Sequence, residues 1–285
     1  MNRSAFRFFH PLRVRWAEVD MQKIVFNAHY LMYLDTAVAD YWRTLALPYE
    51  AAMHQLHGDL YVKKASIEYH GSARYDDRLE VALKCQRIGN SSMQFIGAIF
   101  DGDRLLITGE LLYVFADPAS QTSRPVPAVL REILLGYEAG EPVVHLQMGD
   151  WHGLREGAAQ VRTEVFVHEQ GIDATLEWDE HDSQAVHALL RNRMDVPIAT
   201  GRLLPSQDGV AKIGRMAVIR PLRGTHFGQH ILNGLIEHAR ARGDHQIQLH
   251  AQRSAEGFYR RLGFRSEGEP FLEVDIPHMT MVRDL

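Results

Sequence analysis

The chain has 285 residues, room for two domains of ordinary size, and its 46% apolar and 24% charged residues supply a globular core to each half. A formal net charge of -5 excludes a nucleic-acid-binding surface as the main function but leaves room for a local basic patch facing a phosphorylated ligand. Cys85 is the single cysteine and forms no intrachain disulfide, residues 1–10 lack a secretion signal, and no apolar run approaches the roughly 20 residues of a membrane helix, so a cytoplasmic location is expected. The histidines are scattered without the spacing of a zinc helix, and no metal is expected.

In chain order, alternation over 6–18 places Leu12, Val14 and Trp16 on one side and Arg13 and Arg15 on the other, predicting a half-buried strand. After Asp20 and Asn27, apolar Leu31, Leu34, Val38, Tyr41, Trp42 and Leu45 recur at helical spacing. A long helix over 28–47 is predicted, with Asn27 as N-cap and Pro48 past its end. So apolar a helix calls for a sheet wrapped around it. Branched and aromatic residues predict four strands over 60–70, 79–88, 93–100 and 105–115, punctuated by Asp76-Asp77, Gly89-Asn90 and Asp101-Gly102-Asp103. One strand, one long helix and four meandering strands make an antiparallel α+β domain. A polar, proline-containing exit, a short helix over 129–137 and the break at 136–142 place a boundary near Gly140, giving domains 1–140 and 141–285.

The second half opens with a strand over 143–148 and a helix over 154–168. A loop over 173–183 with Glu177, Asp179, Glu180, His181 and Asp182 reads as solvated, with acids that suit a basic amine substrate. Strands over 186–190, 198–204 and 210–219 lead to a turn with Arg223, Gly224 and Gly228, then to a helix whose Ile231, Leu232, Leu235, Ile236 and Ala239 keep helical spacing. Free N–H groups and the positive dipole end of that helix point at the turn, and the glycines allow close approach: a pyrophosphate cradle. Neither the P-loop string nor the three glycines of a dinucleotide fingerprint is present.

The turn resembles the Q/R-x-x-G-x-G/A signature of the GNAT superfamily of N-acetyltransferases: Arg223, Gly224, Thr225, His226, Phe227 and Gly228 fall on it, with His226 in place of the middle glycine. Ala255 to Phe264 is similar to that superfamily's A-x-x-F-Y-x-x-x-G-F segment, and the stretches 165–170, 176–179, 268–273 and 276–278 resemble its ElaA-like branch. The resemblance implies a mixed sheet with flanking helices, acetyl-CoA as co-substrate, an amine on a small molecule or peptide as acceptor, pyrophosphate at 223–228, and pantetheine oriented by Met216 and Val218. It implies Tyr259 as the acid that protonates the leaving thiolate. The base stays open between Glu169, Glu177 and a water chain, and His226 leaves open a domain that only binds.

The first half resembles hotdog-fold acyl-CoA thioesterases of the 4-hydroxybenzoyl-CoA thioesterase type. Asp20, Ile24-Val25, Asn27 and Tyr30 follow a D-x-x-x-[IV]-V-x-[NHY]-x-x-Y pattern, and Tyr69, 73–77, 87–92 and Asp117-Pro118 match later turns. By this resemblance Asp20 attacks the thioester or activates water, and the Asn27 N–H stabilises the oxyanion. Asp20 as a plain turn residue and Asn27 as a plain cap stay open beside it. Lys23 stands where many relatives have glycine, so either the loop takes another path or Lys23 meets the ligand. A homodimer or homotetramer is expected. The combination implies a bifunctional enzyme on CoA thioesters; the rival is a hotdog half that binds acyl-CoA and assembles the acetyltransferase without hydrolysis.

Overall fold

A computed structural model describes residues 1–285, and the chain divides into two compact units, Met1–Val143 and Val144–Leu285. In the first, β1 (Phe8–Arg13), β2 (Asp59–Tyr69), β3 (Arg78–Ile88), β4 (Ser92–Asp101) and β5 (Arg104–Ala116) form an antiparallel sheet in the order β1-β3-β4-β5-β2. Helix α1 (His29–Thr44) buries Tyr30, Tyr33, Leu34, Ala37, Tyr41 and Trp42.

The helix comes close to the sheet because two glycines face each other beneath it. Gly97 and Gly109 are partners across β4 and β5. A Cβ on Gly97 would lie 2.5 Å from Leu34 Cδ2, and one on Gly109 2.8 Å from Leu34 Cδ1. Leu34 therefore rests on bare backbone, fully buried. Helices α2 (Tyr49–Gln55) and α3 (Ala128–Glu138) complete the unit. The Glu138 carboxylate accepts from Tyr41 Oη and, at 2.9 Å, from the Cys85 N–H, tying α3 to α1 and β3.

Two local expectations need correction. The first strand stops at Arg13, because the Val14 N–H leaves the ladder for the Asp77 carbonyl at 2.9 Å; Trp16 then opens a 3-10 turn and is 75% exposed. Helix α1 starts after Ala28, which holds the N-cap position with no side-chain bond, so Asn27 lies one residue outside the cap. The helix ends short of 47, where Ala46 turns left-handed at φ 59.

In the second unit, β6 (Val144–Gly149), β7 (Val186–Asn192), β8 (Pro197–Leu203), β9 (Val210–Val218), β10 (Gln246–Gln252), β11 (Arg265–Glu273) and β12 (Ile276–Asp284) form one sheet in the order β11-β12-β10-β9-β8-β7-β6. Only the β9–β10 pair is parallel, and α6 (Phe227–Arg242) makes the crossover, burying the apolar positions expected of it. Gly157 of α4 (Trp151–Arg162) packs over Leu189, the cross-strand partner of Thr200, whereas Ile231 and Leu235 of α6 pack over Gly201. Adjacent strand residues point to opposite faces, so α4 and α6 cover opposite sides of the sheet. From α4 the chain continues as a π-helix (Thr163–Glu169), and α5 (Ala174–Glu177) and α7 (Glu256–Arg261) are short.

The glycine pair under Leu34 gives the fold its first prediction. Gly97→Ala forces a methyl into a filled space and is expected to destabilise the first unit by about 1–3 kcal/mol, read from urea unfolding of the full chain. An unchanged midpoint would show that α1 can lift from the sheet without cost.

Candidate functional site

Asp20 sits on a tight loop closed by the bridges Val19–Val25 and Ile24–Arg74. The Asp20 N–H donates to the Ile24 carbonyl and the Lys23 N–H to the Asp20 carbonyl, each at 2.9 Å. Lys23 has φ 63, the left-handed conformation that a glycine adopts freely, so it occupies a glycine-type turn at a cost of about 1 kcal/mol. Asp20 is half-buried, and its Oδ1 accepts the Gln22 N–H at 2.7 Å. Under the loop lies the buried carboxylate of Glu18, which accepts from the Arg15 N–H, Arg15 Nε and Tyr33 Oη, each at 2.7 Å. Burial pushes that carboxyl up, and the three donors outweigh it and hold it below its ordinary range. The Glu18 carbonyl accepts the Phe26 N–H at 2.9 Å, and the Ala73 carbonyl accepts the Val25 N–H at 2.9 Å, pinning the segment that leads into α1. The N–H groups of Asn27 and Ala28 find no backbone acceptor at that helix start. Asn27 itself is exposed, and its carbonyl accepts Tyr69 Oη at 3.3 Å.

In the second unit, parallel pairing runs only from Val210–Gln246 to Ile213–Leu249, although β9 continues to Val218 and β10 to Gln252. A bulge follows: Arg215 and Met216 together oppose Gly201, and Arg215 has φ 52. A cleft of about 490 Å³ opens at this divergence. Met216 from β9 and Tyr259 from α7 both line it, together with Phe166 and Gln170 at the π-helix. His250 lines it as well, with Nδ1 3.1 Å from Glu273 Oε2 and its ring 4.8 Å from that of Phe271.

The expected pyrophosphate turn directly follows β9. The Val218 carbonyl accepts Arg223 Nε at 3.0 Å, and the Arg223 guanidinium grips both carboxylate oxygens of Glu169 at 2.6 Å. Thr225 Oγ1 donates to the Leu222 carbonyl. Gly224 and His226 have φ of 83 and 68, so the histidine in the middle glycine position keeps a glycine-type backbone, with its side chain exposed. His226 is the N-cap of α6 and makes no side-chain cap bond; the N–H groups of Gly224, Thr225 and His226 have no backbone acceptor. Phe227 is buried, and a Cβ on Gly228 would stand 3.4 Å from Val218 and 3.5 Å from Phe258, so the helix start packs tightly on β9.

Residues 155–285 match the acetyltransferase (GNAT) domain, and residues 14–134 the thioesterase-like superfamily. The uncharacterized N-acetyltransferase YjcF of Bacillus subtilis is 36% identical over 129 residues, 45% of this chain and 90% of that protein. The chain belongs to the GNAT acetyltransferases and carries a thioesterase-like domain ahead of that one. The acyl-CoA thioester hydrolase YbgC of Escherichia coli O157:H7 is 28% identical over 128 residues, 45% of this chain and 93% of that protein. The solved structure of Escherichia coli ElaA is 29% identical and covers 49% of this chain and 99% of its own, with a TM-score of 0.45.

The acidic loop of the GNAT unit differs from the solvated loop expected of it. Glu177 and Asp182 are buried, and Arg162, itself buried, bonds both: Nε to Glu177 Oε1, and Nη1 to Asp182 Oδ1 at 2.8 Å. Arg202 Nη1 donates to Asp179 and Asp182 at 2.6 Å each, and Arg215 Nη2 reaches Asp179 at 3.1 Å. Trp151 and Trp178 lie over the Arg162 guanidinium at 5.3 and 4.8 Å. Burial raises the Glu177 carboxyl against the pull of Arg162. For Asp179, burial is outweighed by Arg202 and Arg215, which hold it at about 2.

Of the two carboxylates considered as base, Glu169 is locked to Arg223, whose hydrogen bonds lower its carboxyl, and Glu177 is locked to Arg162. Neither is a ready proton acceptor. Tyr259 is 8% exposed, and burial pushes its phenol up to about 12, which keeps it protonated at neutral pH. The His250–Glu273 pair escaped the sequence reading because its members stand on different strands with no local spacing to mark them.

Acid should reveal the charge network. The folded Asp179 carboxyl lies below its ordinary 3.8, so its stabilising contribution is complete above about 4 and lost as pH falls toward about 2. Urea unfolding of the GNAT unit across that window is expected to show a steeper loss in wild type than in Asp179→Asn; equal slopes would detach Asp179 from stability.

Proposed function

We propose that the chain is a bifunctional enzyme on CoA thioesters: a thioesterase over residues 1–140 and an acetyl-CoA-dependent amine acetyltransferase over 141–285, acting in the cytoplasm. The observation that carries the acetyltransferase reading is the ladder break after Ile213–Leu249 beside an uncapped, glycine-turn helix start. Pantetheine amides would pair with the freed β9 edge around Met216 and Val218, and the pyrophosphate with the N–H groups at 224–228. Tyr259 supplies the proton to the departing thiolate. His250, with its Nδ1 proton donated to Glu273, keeps Nε2 free to take the proton from the incoming amine.

For the hydrolase, Asp20 is the group that attacks the thioester carbonyl or activates water, and the Asn27 N–H receives the negative charge on oxygen. The unpaired Asn27 and Ala28 N–H groups at the start of α1 support this role. A second copy of the chain is proposed to complete that site. β2 is an edge strand with Val62 53% exposed and Tyr61 39% exposed, an apolar edge that a lone monomer would leave open. Light scattering is expected to give a dimer or tetramer, and a monomer at micromolar concentration would sink the assembly.

Thiol release from a panel of acyl-CoA esters without amine isolates hydrolysis from transfer. Wild type is expected to hydrolyse one chain class, and Asp20→Asn to lose at least about 100-fold in rate while Tyr259→Phe keeps it. With acetyl-CoA and amines the pattern reverses: Tyr259→Phe and His250→Gln lose rate and Asp20→Asn does not. Hydrolysis that survives Asp20→Asn would remove Asp20 from the chemistry, and absence of any hydrolysis would leave the first unit as a binding and assembly module.

A further inference from the structure

Building on acetyl transfer as proposed above, we infer that the acceptor is an amine that also carries an anion, a carboxylate or a phosphate, with the anion held by Lys212 and Arg215 and the amine at His250–Glu273. Gly214 lines the cleft, and an added Cβ there would meet nothing within 4 Å. Lys212 lies two residues earlier on the same strand face, half-buried and lining the cleft, and its ammonium has no ion pair or hydrogen bond. Arg215, on the other side of Gly214, is held through Nε and Nη2, at 3.1 Å to Asp179 and 3.3 to 3.4 Å to Glu177, while its Nη1 makes no hydrogen bond. The neighbouring Arg202 instead engages both Nη atoms with Asp179 and Asp182, leaving only its buried Nε without a partner.

Cross-strand register fixes the distance between the two ends. Lys212 pairs with Gln248, so His250 is one strand over and two residues on, a separation on the order of 8 Å between main chains. A short bifunctional amine spans that gap. Its ammonium arrives at a carboxylate-backed imidazole, and its anion arrives at a half-buried ammonium that has no counter-charge. A diamine of similar length would put its second cation against Lys212 and Arg215, and a monoamine without an anion would bury Lys212 further with no partner, a desolvation cost without return. The positive side of the cleft therefore selects for an anion where the loop acids alone suggest a basic substrate.

The test uses the full chain and matched probes: β-alanine against propylamine for a carboxylate, O-phosphoethanolamine against ethanolamine for a phosphate, and putrescine as the dication. Calorimetry with acetyl-CoA comes first, since failure to bind would sink the transferase reading itself and not the anion site. The anion-bearing member of at least one pair is expected to have a kcat/KM at least 10-fold above its partner without the anion, and Lys212→Met to collapse that ratio while Lys212→Arg largely restores it. The pair that responds tells carboxylate from phosphate. Preference for putrescine, or a ratio that Lys212→Met leaves in place, overturns the proposal. If no probe is acetylated, binding of inorganic phosphate to CoA-saturated protein decides: saturable binding lost in Lys212→Met supports the site, and equal binding in both proteins refutes it.

Discussion

The β9–β10 ladder ends after Ile213 and Leu249, and the cleft of the GNAT unit follows from that break. Each strand keeps its other neighbour: β9 stays paired with β8 as far as Val218, and β10 with β12 as far as Gln252. The opening is thus held by strand pairing on both outer sides, bulged on the β8 side, rather than by a mobile loop. Backbone groups on the facing edges lose their partners, which is costly in a closed interior. An extended ligand with amide groups can restore those bonds. The bulge at Arg215 and Met216 adds a second effect, since Met216 Sδ packs where a Cβ on Gly201 would stand, 2.6 Å away.

Opposite the sheet the wall of the cleft has little regular structure, a π-helix followed by one short α-helix and a 3-10 turn. Charge fixes this wall where helix length cannot. Arg162 reaches it from α4, Arg202 from β8 and Arg215 from the bulge, and each ends on Glu177, Asp179 or Asp182. Buried ion pairs contribute little net stability because desolvation offsets their attraction, but breaking one partner leaves a charge stranded. Such a network therefore positions a segment more than it strengthens it, and it leaves Lys212 outside the exchange.

Much of this was legible in the sequence, for identifiable reasons. Strands β3 to β5 and helix α6 announce themselves because buried apolar residues recur along each, whereas β2 buries none and shows only through its branched and aromatic residues; the Asp101-Gly102-Asp103 turn marks where β4 gives way to β5. The signal fails where long-range bonds override local pattern. Val14 continues the alternation of β1, yet its N–H goes to Asp77, and Trp16 is left exposed. The acids at 177–182 look solvated because their partners lie on α4, β8 and β9, far away in the chain. His250 and Glu273 meet for the same reason, through the pairing of β10 with β12 and of β12 with β11. His226 went the other way: it breaks the written motif and keeps the backbone the motif stands for.

Both units begin a sixteen-residue helix at the proposed chemistry, and both leave its N-terminus without a side-chain cap, at Ala28 and at His226. Helices α4 and α5 do the opposite, spending their first free donors on Asp150 and Asp173. A cap is worth about 1 kcal/mol to a helix, so leaving it out costs stability. Omission alone marks nothing, since α2 also starts uncapped after Pro48. What distinguishes α1 and α6 is the segment before each, a pinned carboxylate loop in one and a left-handed glycine-type turn in the other. A capping oxygen at either start would occupy the N–H groups that a thioester oxyanion or a pyrophosphate has to reach. Weak capping at these two ends is therefore the stability cost that keeps both proposed anion sites open.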